Sequence, residues 1–220
     1  MINKNPDKVK EKISAVGLVP VVVIDDLNCA LDAAKALLDG GIPIMEITLR
    51  TPGGLDAIER VAAACPEILL GGGTVLNPDQ CKAAIDKGAS FIVSPGFDTE
   101  LVEYCLKKDI AVFPGCVTPT EINAALKMGL TTVKFFPANV YGGVKAIKAL
   151  SGPFPMMRFV PTGGVDLGNL AEYIIPQIAA VGGGWLCERK ALNSKDYPSI
   201  TKACAASVEI VKKQREAVTG

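Results

Sequence analysis

Short runs of β-branched and other apolar residues recur along the chain, at positions 18–24, 42–49, 68–75, 91–95, 111–114, 132–137, 158–162 and 178–182, and predict eight strands. Between them Ala, Leu, Lys and Glu fall at helical spacing, as at 29–38, 55–64, 79–87, 100–107 and 121–128. Several of these helices open on a capping residue or follow proline, as at Asn77-Pro78-Asp79 and Thr118-Pro119-Thr120-Glu121, and end near glycine, as at Gly40-Gly41, Gly88 and Gly129. Strand then helix, repeated eight times over 1–220 with no linker or break in composition, predicts one α/β domain. A closed (β/α)8 TIM barrel is favoured over an open doubly wound sheet. Residues 7–15 are expected to add a helix before the first strand, and residues 199–217 read as a long closing helix.

Composition narrows the partners. Of the 220 residues 49% are hydrophobic and the mean hydropathy is +0.32, ample for a large core. The 23 Lys and Arg balance the 23 Asp and Glu without any basic run, which leaves no electrostatic footprint for nucleic acid or an anionic membrane. Residues 1–16 lack a signal-peptide core, and no apolar run approaches the ~20 residues of a membrane span, so a cytoplasmic protein is expected. Its expected partners are small molecules or copies of itself. Seven scattered cysteines without a Cys-x-x-Cys pair read as buried free thiols in a reducing compartment. The absence of histidine removes the Ser-His-Asp and Cys-His nucleophile systems and the usual zinc ligands, leaving carboxylates, lysine, tyrosine or water to carry protons.

Lys134 stands out, because Thr131-Thr132-Val133-Lys134-Phe135-Phe136-Pro137-Ala138 otherwise reads as a buried strand. Alternation puts Thr132, Lys134 and Phe136 on one side and Val133 and Phe135 on the other. Burial disfavours an ammonium and leaves a free amine able to attack a carbonyl, the chemistry of a Schiff-base lysine. The competing reading is a strand-end lysine that snorkels to solvent. In the second strand the same alternation places Ile44, Glu46, Thr48 and Arg50 together, with Met45, Ile47 and Leu49 opposite. That polar face reads in two ways: Glu46 as general acid/base beside Arg50 forking a substrate carboxylate, or a Glu46–Arg50 ion pair closing one end of the barrel.

Barrel enzymes build their sites at the carboxyl ends of the strands, which draws attention to the loops there. Gly71-Gly72-Gly73-Thr74 brings backbone close to the mouth and adds a hydroxyl, while Ser94-Pro95-Gly96 and Phe113-Pro114-Gly115 make rigid rims, all of which simple turns would also explain. Pro161-Thr162-Gly163-Gly164-Val165 and Val181-Gly182-Gly183-Gly184-Trp185 follow the seventh and eighth strands, where such enzymes commonly hold phosphate on glycine amides. Two tight turns with no ligand are the alternative.

Taken in order, several of these segments resemble the 2-keto-3-deoxy-6-phosphogluconate aldolase and 4-hydroxy-2-oxoglutarate aldolase family of class I lyases. The resemblance covers nearly the whole chain. It is carried by Val19-Pro20-Val21, Glu46-Ile47-Thr48-Leu49-Arg50-Thr51, Gly73-Thr74-Val75-Leu76-Asn77-Pro78, Ser94-Pro95-Gly96, Lys134-Phe135-Phe136-Pro137-Ala138, Gly142-Gly143-Val144-Lys145-Ala146 and Pro161-Thr162-Gly163-Gly164. The resemblance implies a Schiff base between Lys134 and pyruvate or the keto-acid, with Glu46 moving protons through water. It further implies that Arg50 and Thr74 hold the carboxylate, Pro95 and Phe136 line the pocket, and Thr162, Gly163 and Gly164 hold phosphate, with Gly183 and Gly184 facing the same anion. Homotrimers of (β/α)8 subunits without metal or other cofactor are also implied. One position departs: where the family typically reads Gly-Gly-Ser-Trp, this chain has Gly182-Gly183-Gly184-Trp185. The missing hydroxyl weakens the case for a phosphate and makes a shorter or unphosphorylated substrate more plausible. A sugar-phosphate isomerase or epimerase would share the phosphate loops without using the lysine as a nucleophile. A non-catalytic barrel would use Glu46, Arg50 and Lys134 only to hold an anion.

Overall fold

A computed structural model describes residues 5–219, with side chains as far as residue 217. Helix α1 (Pro6–Val16) is capped by the Asn5 side chain and stopped by Gly17, whose φ of 77° suits a residue without Cβ. There follow β1 (Leu18–Val22), α2 (Ala30–Asp39), β2 (Ile44–Thr48), α3 (Gly54–Ala64), β3 (Leu69–Gly73), α4 (Pro78–Asp86), β4 (Phe91–Val93), α5 (Thr99–Lys107), β5 (Ala111–Phe113) and α6 (Pro119–Lys127). The chain continues with β6 (Thr132–Phe135), α7 (Gly143–Ser151), β7 (Arg158–Pro161), β8 (Val181–Gly183), α8 (Arg189–Asn193) and α9 (Tyr197–Thr219). Asn77 caps α4, and Thr118 with Glu121 forms a full capping box on α6, the roles their spacing predicts.

All strand pairings are parallel. Six strands run in the order β5-β4-β3-β2-β1-β8, and β6 pairs with β7 in a second sheet. Single bridges lie between the two sheets: Gly115 opposite Lys134, and Thr162 opposite Gly182. At the first of them the backbone of Lys134 is held from both directions, its N–H donating to Pro114 O and its carbonyl accepting from Cys116 N, each at 2.9 Å. β1, β2 and β3 are buried along their whole length, as parallel strands covered on both faces must be.

The strands are shorter than the hydrophobic runs that announce them, mostly at the carboxyl ends, where residues 23–24, 74–75, 94–95 and 136–137 turn into loops. β8 is displaced rather than trimmed: it occupies Val181–Gly183 instead of 178–182, and Ile178 makes only a lone bridge to Phe159. The regular alternation of strand and helix also fails after β7. That segment holds only a 3₁₀ turn, Leu170–Tyr173, because Gly163, Gly164, Gly168 and Pro176 leave no run at helical spacing.

Helix α1 matters to what lies inside the sheets. Ile13, which is 2% exposed, shares an interior cavity of about 10 Å³ with Phe91, Phe113, Glu46 and Lys134. Phe91 and Phe113 meet edge to face at 6.0 Å. Truncating Ile13 to Ala is expected to cost about 2–5 kcal/mol, read as a lower urea midpoint at unchanged m-value.

Candidate active site

The chemistry-bearing residues sit where β2 and β6 face the same interior. Lys134 is the third residue of β6 and Glu46 the third of β2, and alternation turns both side chains inward. The Lys134 Nζ lies 3.7 Å from Glu46 Oε1, and each side chain is 3% exposed. The gap is too long for a direct hydrogen bond. Among the described residues Glu46 Oε1 has no hydrogen-bond partner at all. The adjoining cavity of about 10 Å³ is close to the size of one water molecule. A buried ion pair is a poor stabilising device, since desolvating both charges costs about as much as their attraction returns. An unsatisfied carboxylate oxygen aimed at an amine therefore points to chemistry rather than to stability.

Neighbouring residues shape this pair. The Phe136 ring, on the same side of the chain as Lys134, lies with its centroid 5.1 Å from Nζ, while Phe135 turns away to pack against Phe159 and Tyr141. Gly73 of β3 lies against the Glu46 carboxyl group: a Cβ there would come within 2.3 Å of Oε1 and 2.6 Å of Cγ. Gly71 similarly makes room for the Phe91 ring, which a Cβ would meet at 2.2 Å. The glycine run at 71–73 thus serves side-chain packing inside a strand, where the sequence suggests close approach of backbone to the mouth or a simple turn.

Arg50 and Thr74 form a second pair nearby. The strand geometry of β2 ends at Thr48, whose hydroxyl donates to Val22 O, so the alternation does not carry on to position 50. Arg50 Nε donates to Thr74 Oγ1 at 3.1 Å. The Glu46–Arg50 ion pair considered from sequence is replaced by two separate contacts, Glu46 with Lys134 and Arg50 with Thr74. Thr74 adopts φ 55°, a left-handed conformation costly for a β-branched residue and typical of positions where function holds the backbone.

Beyond Phe136 an open cavity of about 200 Å³ holds Arg50, Phe136, Thr162, Gly163, Gly164, Gly183, Gly184 and Arg189. Thr162 lines both this cavity and the interior one, so it stands at their junction. Gly163 and Gly164 have φ of 95° and 73°, which turns backbone towards the space without the cost a side chain would add. Gly183 lies under the Trp185 ring, while Gly184 looks onto open space, its nearest neighbour for a Cβ being Val21 O at 3.9 Å. Pro95 is not among the residues lining either cavity; its carbonyl packs against Gly115.

Sequence reasoning missed Arg189. Its Nε and Nη2 donate to the two oxygens of Asp25 at 2.6 and 2.5 Å, and Asn193 Nδ2 donates to the same carboxylate at 2.9 Å. The hydrogen bond from Arg189, then that from Asn193, hold the Asp25 carboxyl down at about 2. The only hint in the sequence is the acidic pair Asp25-Asp26 directly after the first strand.

In sequence and fold the chain is similar to known proteins. A family model described as KDPG and KHG aldolase matches residues 9–203. The chain belongs to the KDPG and KHG aldolase family. It is 41% identical to the KHG/KDPG aldolase of Escherichia coli (strain K12) over 211 residues, which covers 95% of this chain and 99% of that one. Its fold superposes with TM-score 0.88 on a KDPG aldolase from Legionella pneumophila with pyruvate captured at low pH as a covalent carbinolamine intermediate. That protein is 39% identical, with 90% of this chain and 97% of the other covered. The 2-keto-3-deoxy-6-phosphogluconate aldolase of Zymomonas mobilis ZM4 with 3-phosphoglycerate gives TM-score 0.87 at 33% identity, over 92% of this chain and 96% of that one.

In a KDPG and KHG aldolase fold without histidine, the place of the carboxylate beside the amine has to be set by packing. Gly73→Ala is therefore expected to push the Glu46 carboxyl group aside and lower kcat about tenfold or more, with far-UV circular dichroism unchanged. Retention of full kcat would show that the contact between Gly73 and Glu46 does not govern turnover.

Proposed function

We propose that this chain is a metal-independent class I aldolase that cleaves a 2-keto-4-hydroxy acid, such as 2-keto-3-deoxy-6-phosphogluconate or 4-hydroxy-2-oxoglutarate, to pyruvate and an aldehyde. The observation that carries the reading is the buried Lys134 amine 3.7 Å from an otherwise unpartnered Glu46 oxygen. Family membership and the aldolases among its relatives support it. Lys134 adds to the C2 carbonyl, and loss of water from the carbinolamine gives an iminium whose nitrogen accepts electrons. Glu46 takes the proton of the C4 hydroxyl, directly or through one water. The C3–C4 bond then breaks, its electron pair forming an enamine as the aldehyde leaves. Protonation at C3 and hydrolysis release pyruvate and return the amine, so the water lost in forming the iminium balances the water consumed.

On this reading Arg50 forks the C1 carboxylate beside Thr74, Phe136 covers the reacting carbons with Pro95 at the rim, and the loops with Thr162, Gly163, Gly164, Gly183 and Gly184 take the distal end. The bridges Gly115–Lys134 and Thr162–Gly182 support joining the two sheets into one closed (β/α)8 TIM barrel, a single domain whose N-terminal helix plugs one end. The homotrimer implied by the family resemblance agrees with the exposure of Leu76, Val140 and Tyr141, apolar side chains suited to a contact between copies. A cytoplasmic setting agrees with seven cysteines that are all free thiols, six of them buried.

Treating the protein with pyruvate and borohydride should give a covalent adduct that intact mass detects and peptide mapping assigns to Lys134. Lys134→Ala, checked for fold by circular dichroism, should give neither adduct nor turnover. Folded wild-type protein that forms no adduct with ample pyruvate would remove the aldolase reading. A second outcome concerns Gly184. The space over it accommodates a side chain, so Gly184→Ser should supply a hydroxyl to a phosphate and lower KM for the 6-phosphorylated substrate about tenfold, the size of one charge-assisted hydrogen bond.

A further inference from the structure

Arg189 does not belong to the motifs that carry the family resemblance, yet its side chain lines the same cavity as Arg50 and the two glycine loops. Two of the five guanidinium N–H groups go to Asp25, leaving both hydrogens of Nη1 and one of Nη2. The Arg189 side chain is 60% exposed, so those donors remain within reach of a ligand. Asp25 follows β1 while Arg189 opens α8, and the two are 164 residues apart in sequence. Asn193, on the same short helix, donates to the Asp25 Oδ2 that also accepts from Arg189 Nε. Such a clamp removes the rotamer freedom that an exposed arginine would otherwise lose on gripping an anion, which favours binding. Asp25, held in its charged form, keeps the fork in place across the neutral range.

Position in the site selects the ligand. In 4-hydroxy-2-oxoglutarate the second carboxylate is attached to C4, one end of the bond that breaks, so it stays close to Lys134 and Glu46. A six-carbon keto-acid phosphorylated at its far end reaches past Thr162 into the outer cavity, where Arg189 and the glycine amides lie. Resting on the aldolase reading above, we infer that Arg189, positioned by Asp25 and Asn193, is a specificity-determining residue that binds the terminal phosphate of a six-carbon keto-acid. This chain then replaces the serine hydroxyl absent at Gly184 with a clamped guanidinium from the next turn.

The test compares KM and kcat of the full-length enzyme on 2-keto-3-deoxy-6-phosphogluconate, the same acid without phosphate, and 4-hydroxy-2-oxoglutarate. Arg189→Ala should raise KM for the phosphorylated acid about tenfold or more, with a several-fold smaller change for the other two, and Arg189→Lys should fall between. The charge swap D25R/R189D restores an ion pair between the loops but turns a carboxylate to the cavity. It should show a KM defect at least as large as Arg189→Ala, whereas recovery to the wild-type value would mean the pair only staples the loops. Equal changes on all three substrates, no change, or a loss confined to 4-hydroxy-2-oxoglutarate would each overturn the inference. Borohydride trapping with pyruvate on the same proteins keeps the two readings apart. A wild type without adduct removes the aldolase itself, whereas an adduct with an unaltered substrate preference removes only the role of Arg189.

Discussion

Everything in this site is arranged around one unfavourable interaction, the burial of a lysine and a glutamate in an apolar interior where neither gains its full complement of hydrogen bonds. At 3.7 Å the pair is attracted but not hydrogen-bonded, and among the described residues Glu46 Oε1 has no hydrogen-bond partner elsewhere. The rest of the fold supplies the stability that this pair does not. A nearly continuous core runs through both faces of β1, β2 and β3, and α1 closes the space beneath the pair with Ile13. Glu46 Oε1 is unsatisfied, and Thr74, next to the Gly73 that packs on that carboxyl group, is left-handed, as expected where geometry serves reactivity rather than stability.

The site divides by depth. An inner compartment holds the amine and the carboxylate, with room beside them for about one water molecule, an arrangement suited to covalent chemistry with few competing waters. An outer compartment of about 200 Å³ presents backbone glycines and two arginines, suited to gripping anions. Thr162 lies at their junction. A substrate with a keto-acid head and an anionic tail fits that division, with the reacting carbons at the Lys134–Glu46 pair and the tail among the glycine loops and arginines.

Glycine carries two distinct duties in this architecture, and only one of them is conformational. Gly163 and Gly164 supply left-handed turns. Gly71 and Gly73 instead leave room for Phe91 and Glu46 within a regular strand. Gly184 satisfies neither requirement, which leaves it open to substitution, and the clamped Arg189 lining the same cavity belongs to a different element of the chain.

The pattern of apolar runs, the helical spacing between them and the caps at Asn77 and Thr118 determined the order of elements, since these depend on residues close together in sequence. The lysine in a buried strand and the lack of histidine likewise narrowed the candidate chemistry, because the identity of a side chain is local. Several boundaries were not legible. β8 forms three residues later than its apolar run begins, because register is settled by its neighbour β1. No helix of regular length follows β7, where glycine and proline interrupt the spacing. Which polar residues meet was decided only in three dimensions: Glu46 with Lys134 across 88 positions, Arg50 with Thr74 rather than Glu46, and Asp25 with Arg189 from opposite ends of the chain. Such pairings depend on strand order and register, which bring distant segments side by side and which no local spacing encodes.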